Sequence, residues 1–284
     1  MLAVIHIEKC GGTTLIDVLR RNFQLDHFDV IPRDRQAMVF TAGDLHDLLK
    51  FRPTVKSIAG HTIRLDSGLE NVAPQIRYIT CLRDPVRRYV SDYCHFVERL
   101  GLEADFEQWL GREDRHNFQT RAIAGEADLD AAIHLLETRF ELVGALESFA
   151  EFVHQIGLVV QRSLFSTFDP WYEVRNSRWG RPSVLSTSEL IGKFGERIAA
   201  VNALDIKLHH HVLKVIVPRQ RAVWVADNSA ASLAAPYRGP LERLRDGRRR
   251  LLCRLYRNLV YKPHMRRWPV PHRLPIYEKR RRAA

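Results

Sequence analysis

Short apolar runs, each cut off by a polar or glycine-bearing turn, alternate along this chain with stretches of helical spacing. Residues 2–7 (LAVIHI) are nearly all apolar, the pattern of a parallel strand buried on both faces. Leu15, Val18, Leu19 and Phe23 then recur at helical spacing, which predicts an amphipathic helix whose first free N–H groups lie at Gly12 to Thr14. Residues 55–59 form a second strand running into Gly60 and His61, and residues 75–82 a third, stopped by Arg83, Asp84 and Pro85. Asp84 suits an N-cap and Pro85 a first helical position, so a helix follows with Val86, Tyr89, Val90, Tyr93, Val97 and Leu100 on its apolar face. Arg87, Arg88, Ser91 and His95 share another face. A fourth strand is predicted over residues 140–144, with a helix after it through Phe149, Phe152, Val153 and Ile156. Residues 166–188 read as a long loop, helices resume over 187–204 and 208–215, and there is no internal repeat. Strands alternating with helices predict an α/β fold: a central parallel sheet flanked by helices on both faces.

Charge divides the chain. Of 44 Lys/Arg and 33 Asp/Glu, residues 238–284 hold 16 and 3, leaving 28 and 30 for residues 1–237, so the whole excess of +11 sits in the tail. The division expected is an α/β domain over 1–237 and a basic C-terminal helix with an extended tail over 238–284. Leu241, Leu244, Leu251, Leu252, Leu255 and Leu259 lie among Arg243, Arg245, Arg249, Arg250, Arg254 and Arg257, an amphipathic basic helix. Such a tail is either a solvated helix packed on the body or an attraction for something anionic: a polysaccharide, a membrane surface or nucleic acid.

No apolar run reaches the roughly 18 residues a membrane span needs; the stretch 142–160 contains Glu147, Glu151, His154 and Gln155. With no signal-like N-terminus either, the expectation is a soluble, cytoplasmic protein. Cys10, Cys81, Cys94 and Cys253 are widely spaced and read as reduced thiols, and His209, His210 and His211 as structural or surface histidines, so no metal site is expected.

Ligands of open parallel sheets bind beyond the carboxyl ends of the strands, and three candidate sites fall there. Lys9, Gly11, Gly12, Thr13 and Thr14 combine a full charge, glycines that let backbone approach an oxyanion, and a helix N-terminus. Arg83 offers a guanidinium at a strand end with Ser91 on the following helix, and His61 stands just past the second strand as a base. The Walker A order is absent, because Lys9 precedes the glycines. Cys10 at a helix start could be a nucleophile, but a tyrosine-phosphatase-like loop needs an arginine six positions on, where Ile16 stands.

The stretch IHIEKCGGTTL resembles the 5′-phosphosulfate loop of sulfotransferases that use 3′-phosphoadenosine 5′-phosphosulfate (PAPS), usually close to IHIPKTGGTSL. ITCLRDPVRRYVSDY is similar to their 3′-phosphate motif, with its step from Arg83 to Ser91. IAGHTI, NFQTRAIAG, LVGALESFAEFV and NALDIKLHHHVL follow, in order, the carbohydrate branch that includes heparan and uronyl 2-O-sulfotransferases and bacterial relatives; the resemblance covers residues 1–215. It implies a P-loop-NTPase-like fold and transfer of the sulfuryl group of PAPS to a hydroxyl of a carbohydrate or glycolipid acceptor, with PAP as product and no metal. Lys9 would contact the bridging and sulfuryl oxygens, Gly11, Gly12, Thr13 and Thr14 the 5′-phosphate, and Arg83 and Ser91 the 3′-phosphate. Asn176, Ser177 and Arg178 would close over the nucleotide, His61 would be the general base, and Gln119, Arg121 and Arg64 are candidate acceptor contacts, Arg121 alternatively a nucleotide contact. Glu8 in place of proline and Cys10 in place of threonine or serine depart from the loop pattern, and Ala59 stands where the heparan enzymes have a second histidine. Glu8 is a fallback base.

The competing class is a non-catalytic protein of the same fold that binds nucleic acid or anionic glycan through its tail. Of those partners nucleic acid is the less expected, and a pure binder has no use for Lys9, His61, Arg83 and Ser91 together.

Overall fold

The computed structural model describes residues 1–263 apart from 35, 100–104, 165–166, 173, 175–185 and 227–239. Five parallel strands, β1 (Leu2–Ile5), β2 (His27–Asp29), β3 (Ser57–Gly60), β4 (Arg77–Leu82) and β5 (Phe140–Ala145), form one sheet in the order β2-β3-β1-β4-β5. The helices are α1 (Gly12–Phe23), α2 (Ala42–Phe51), α3 (Pro85–Cys94), α4 (Phe106–Leu110), α5 (Phe118–Ala124), α6 (Leu129–Thr138), α7 (Phe149–Leu164), α8 (Thr187–Val201), α9 (Ala203–His211), α10 (Val217–Ala226) and α11 (Pro240–Tyr256). The parallel sheet and the four strands read from apolar runs are present. β2 is the addition: three residues are too few to carry a pattern.

Alternation within β1 explains why both faces need covering. Leu2 and Val4 join the cluster made with Leu15, Val18 and Leu19 of α1 and Phe152, Val153 and Ile156 of α7. Ala3 and Ile5 point the other way, into the cluster with Leu45 and Leu48 of α2, Leu136 of α6 and Leu208 of α9. Each such leucine, wholly removed from water, contributes about 1.5–3 kcal/mol. A third cluster, Tyr89, Trp109, Leu190, Phe194 and Ile198, joins α3, α4 and α8.

Chain order places the ligand crevice. From central β1 the chain runs outward to β2, returns to β3, then crosses to β4 and β5 on the other side. β1 is therefore where the winding reverses, and the turns after β3, β1 and β4 are neighbours at one rim. Strands lie roughly 4.8 Å apart, so these three turns fall within about 10 Å, the reach of one small molecule.

The described part of the tail lies on the body. Tyr261 is fully buried with its ring 4.7 Å from that of Phe28, and Arg257 pairs with Asp29, so the segment beyond α11 lies against the outer strand β2. Positions 264–284 lie outside the described residues.

The junction of β5 and α7 tolerates no added atom at Gly144, where a Cβ would stand 2.3 Å from the Phe152 ring. Gly144→Ala should lower unfolding free energy by about 1–3 kcal/mol in urea titration, with the slope unchanged.

Candidate active site

The turn from β1 into α1 is built around two left-handed residues, Lys9 at φ 67° and Gly11 at φ 80°. Gly11 takes this conformation without steric cost, whereas Lys9 is held in it by the surrounding loop. Gly12 is dictated by a close approach, since a Cβ there would fall 1.7 Å from Nε2 of His6. α1 opens with no side-chain cap and no acidic residue in its first turn, which leaves the partial positive charge of its N-terminus uncompensated. Thr13 is exposed there and Thr14 is buried.

Arg83, at the end of β4, donates from Nη1 to the carbonyl of Lys9 at 3.0 Å, so the first and third turns meet directly. What holds Arg83 is Gln119 of α5. Its Oε1 accepts from the Arg83 amide and its Nε2 donates to the Arg83 carbonyl, both at 2.9 Å, while the Cys10 thiol also reaches Oε1 at 3.3 Å. Gln119, read from the sequence as an acceptor contact, is therefore corrected: it is fully buried and its amide is spent joining the two turns.

The start of α5 is pinned in turn. Asp205 of α9 accepts from the amides of Gln119 and Thr120 and from the Thr120 hydroxyl, at 2.8 to 3.0 Å. Asn117 accepts from the amides of Leu204 and Asp205, and its own amide donates to Asn202. The stretches NFQT and NALD thus cap each other. On the other side Glu147, just past β5, accepts from the Asp84 amide at 2.9 Å and bonds Nε2 of His209 at 3.1 Å. His209 is a buried structural partner, and among the described residues no group of His, Cys, Asp and Glu could hold a metal ion.

His61 follows β3 and is exposed. Its Nδ1 lies 2.7 Å from the carbonyl of His6, and a carbonyl only accepts, so Nδ1 carries the proton. In the neutral ring Nε2 then holds the lone pair. The two imidazoles stack with centroids 3.9 Å apart, and Arg64 closes the turn by donating to the carbonyl of His61 at 2.8 Å. Burial, followed by neighbouring His61, pushes His6 down to about 3, so it stays neutral beneath the exposed ring.

Cys10 and Glu8 are both held by neighbours. Burial pushes the Cys10 thiol up to about 12 against the pull of Arg88 and Arg83, so it is not a thiolate. Glu8 pairs with Arg115 at 3.4 Å, and Arg115 also reaches buried Asp92 at 3.5 Å, tying the loop to α3. Arg88, placed by sequence on a polar face, is wholly buried instead, 3.5 Å from Asp92 and over the Phe118 ring. Ser91 is partly exposed on α3 and Arg121 is exposed on α5. Asn176, Ser177 and Arg178 lie outside the described residues. His6, Glu147, Asn117 and Asp205 escaped the sequence reading because each acts through a partner distant in the chain.

The model of the sulfotransferase family named Sulfotransfer_2 matches residues 1–157, more than half of the chain, which spans the Lys9, His61, Arg83 and Glu147 turns. The chain belongs to the sulfotransferase family. Among solved structures it is similar to a sulfotransferase from Alicyclobacillus acidocaldarius, at 16% identity over 73% of this chain and 95% of that one, with a TM-score of 0.39. No curated protein matches.

Burial works against the Glu147 carboxylate, but hydrogen bonds from His209, the Asp84 amide and its own amide hold it near 2, below its ordinary 4.5. A depressed carboxylate contributes stability that is whole above 4.5 and drains away as pH falls toward 2. Urea unfolding across that window should show the native protein losing stability more steeply than Glu147→Gln, with the two curves parallel at neutral pH.

Proposed function

We propose that the protein transfers the sulfuryl group of PAPS to a hydroxyl of a carbohydrate or glycolipid acceptor. The observation that carries this reading is the exposed His61 ring, its Nδ1 committed to the His6 carbonyl, at the same sheet rim as the Arg83–Lys9 contact. On this reading a base, a lysine and an arginine share the rim where the winding reverses.

The residues fit an anionic nucleotide. The first turn of α1 carries no acidic residue, Glu8 is engaged by Arg115, and Arg83 reaches the loop with one nitrogen while its others remain to donate. On this reading the Gly11–Thr14 turn holds the 5′-phosphate, and Arg83 with Ser91 holds the 3′-phosphate. Bound there, PAPS supplies a sulfuryl group whose transfer leaves PAP.

This chain's own contribution is positioning and charge. Nε2 of His61 takes the proton of the acceptor hydroxyl as that oxygen attacks in line. Stacked, neutral His6 keeps the ring oriented without adding a positive charge beside it. Lys9 stabilises the charge gathering on the oxygen that leaves. Gln119 and Glu147 act one step back, by holding the backbone that carries Arg83. Exposed Arg121 and partly exposed Arg64 remain the acceptor contacts.

Calorimetry with PAP and a radiolabelled-sulfate transfer assay separate these roles. His61→Ala should leave PAP affinity nearly unchanged while turnover falls by about 10² to 10⁴. Lys9→Ala should lower turnover by about 10² to 10³. Arg83→Ala should mainly weaken PAP binding, by about 10- to 100-fold, the worth of a charged hydrogen bond. Loss of PAP binding in His61→Ala, with Arg83→Ala still binding normally, would reject the assignment.

A further inference from the structure

α11 turns the wrong face outward for an ordinary surface helix. Tyr256 at its end, with Arg257 and Tyr261 just beyond it, meets Phe28, Phe51 and Asp29, and the helix itself also packs on α1 and the turn that follows α1. Leu244, Leu251, Leu252 and Leu255 are instead 65%, 56%, 61% and 44% exposed, and Leu259 beyond the helix is 70% exposed. At the helical step the first four leucines fall within an arc of about 100°, with Arg248 among them between Leu244 and Leu251. Beside that arc lies an apolar recess of about 330 Å³, between Leu25 and the line of Leu252, Leu255 and Leu259. Residues 240–261 carry seven arginines against Glu242 and Asp246, and Arg248 and Arg254 are exposed next to the leucines.

We propose that this helix is a docking face for an anionic membrane surface. A basic helix with an outward leucine stripe matches a surface that is negative at its headgroups and apolar just beneath them. An anionic glycan or a nucleic acid would engage the arginines but leave the leucines in water, and would have no use for the recess. A second copy of the chain would bring two arginine-rich helices together. No described helix is long and apolar enough to cross a membrane, so the contact is one of lying on the surface, with the leucines entering it and the arginines at headgroup level.

The test is co-sedimentation of the full chain with vesicles of phosphatidylcholine alone and of the same lipid with about one third phosphatidylglycerol. Binding is expected only to the mixed vesicles. Leu251→Glu together with Leu255→Glu should weaken it by at least about tenfold, and Arg254→Ala should weaken it less. Both leucines are exposed, so the thermal midpoint and PAP binding should stay unchanged, and Leu244→Glu gives an independent second variant on the same stripe. Three results would overturn the proposal: no binding to anionic vesicles, binding that survives the glutamates and so reports tail charge alone, or a dimer in light scattering that the glutamates dissolve without any vesicle binding.

Discussion

The site depends on one side-chain amide. Gln119 pairs with both the amide and the carbonyl of Arg83, as a neighbouring strand would, and takes the Cys10 thiol on the same oxygen. A parallel sheet brings the carboxyl ends of its strands to one rim but leaves the loops beyond them without ladder partners. Backbone groups buried in such loops need hydrogen bonds from elsewhere. Here a glutamine from a separate helix supplies them, so the Lys9 turn and the Arg83 turn have a common brace. Asp205 and Asn117 in turn fix the start of the helix that carries Gln119.

The same economy governs His61. A histidine on an exposed turn has two tautomers of nearly equal cost, and only one leaves Nε2 free to accept a proton. The His6 carbonyl selects it, and the His6 ring lies beneath it against Gly12, where no Cβ can intrude. Three requirements, a His6 that directly follows β1, a glycine at 12 and a histidine after β3, are therefore one geometric condition. Cys10 belongs to this framework as a buried neutral thiol beneath the loop rather than as reacting chemistry.

Much of this was legible in the sequence, and the boundary of legibility has a physical cause. Strands β1, β3, β4 and β5 are apolar runs because both their faces are covered, and Asp84 with Pro85 announces α3 through local cap chemistry. Lys9, His61 and Arg83 stand out because they directly follow strands. β2 was illegible because three residues have no period, and Gln119 misled because a polar side chain in a motif invites a contact role while its burial depends on α9. Arg88 misled for the same reason: helical spacing assigns it a face, but only the packing of Phe118, Asp92 and Arg115 shows that face to be buried.

The sheet's edges show how far side chains replace backbone in this fold. An open parallel sheet exposes unpaired N–H and C=O groups at both outer strands, an invitation to unwanted pairing. At β5 the Gln220 amide, oriented to satisfy both groups, accepts from the Val143 amide at 3.0 Å and donates to its carbonyl at 2.8 Å, repeating on the edge what Gln119 does at the rim. At β2 the cover is larger: Tyr261 and Tyr256 lie against Phe28, while Arg257 and Arg20 share Asp29. The end of α11 and the segment after it are thus committed to protecting β2. Leu244, Leu251, Leu252 and Leu255 of the same helix are left to solvent, so closing this edge brings an apolar surface of its own with it.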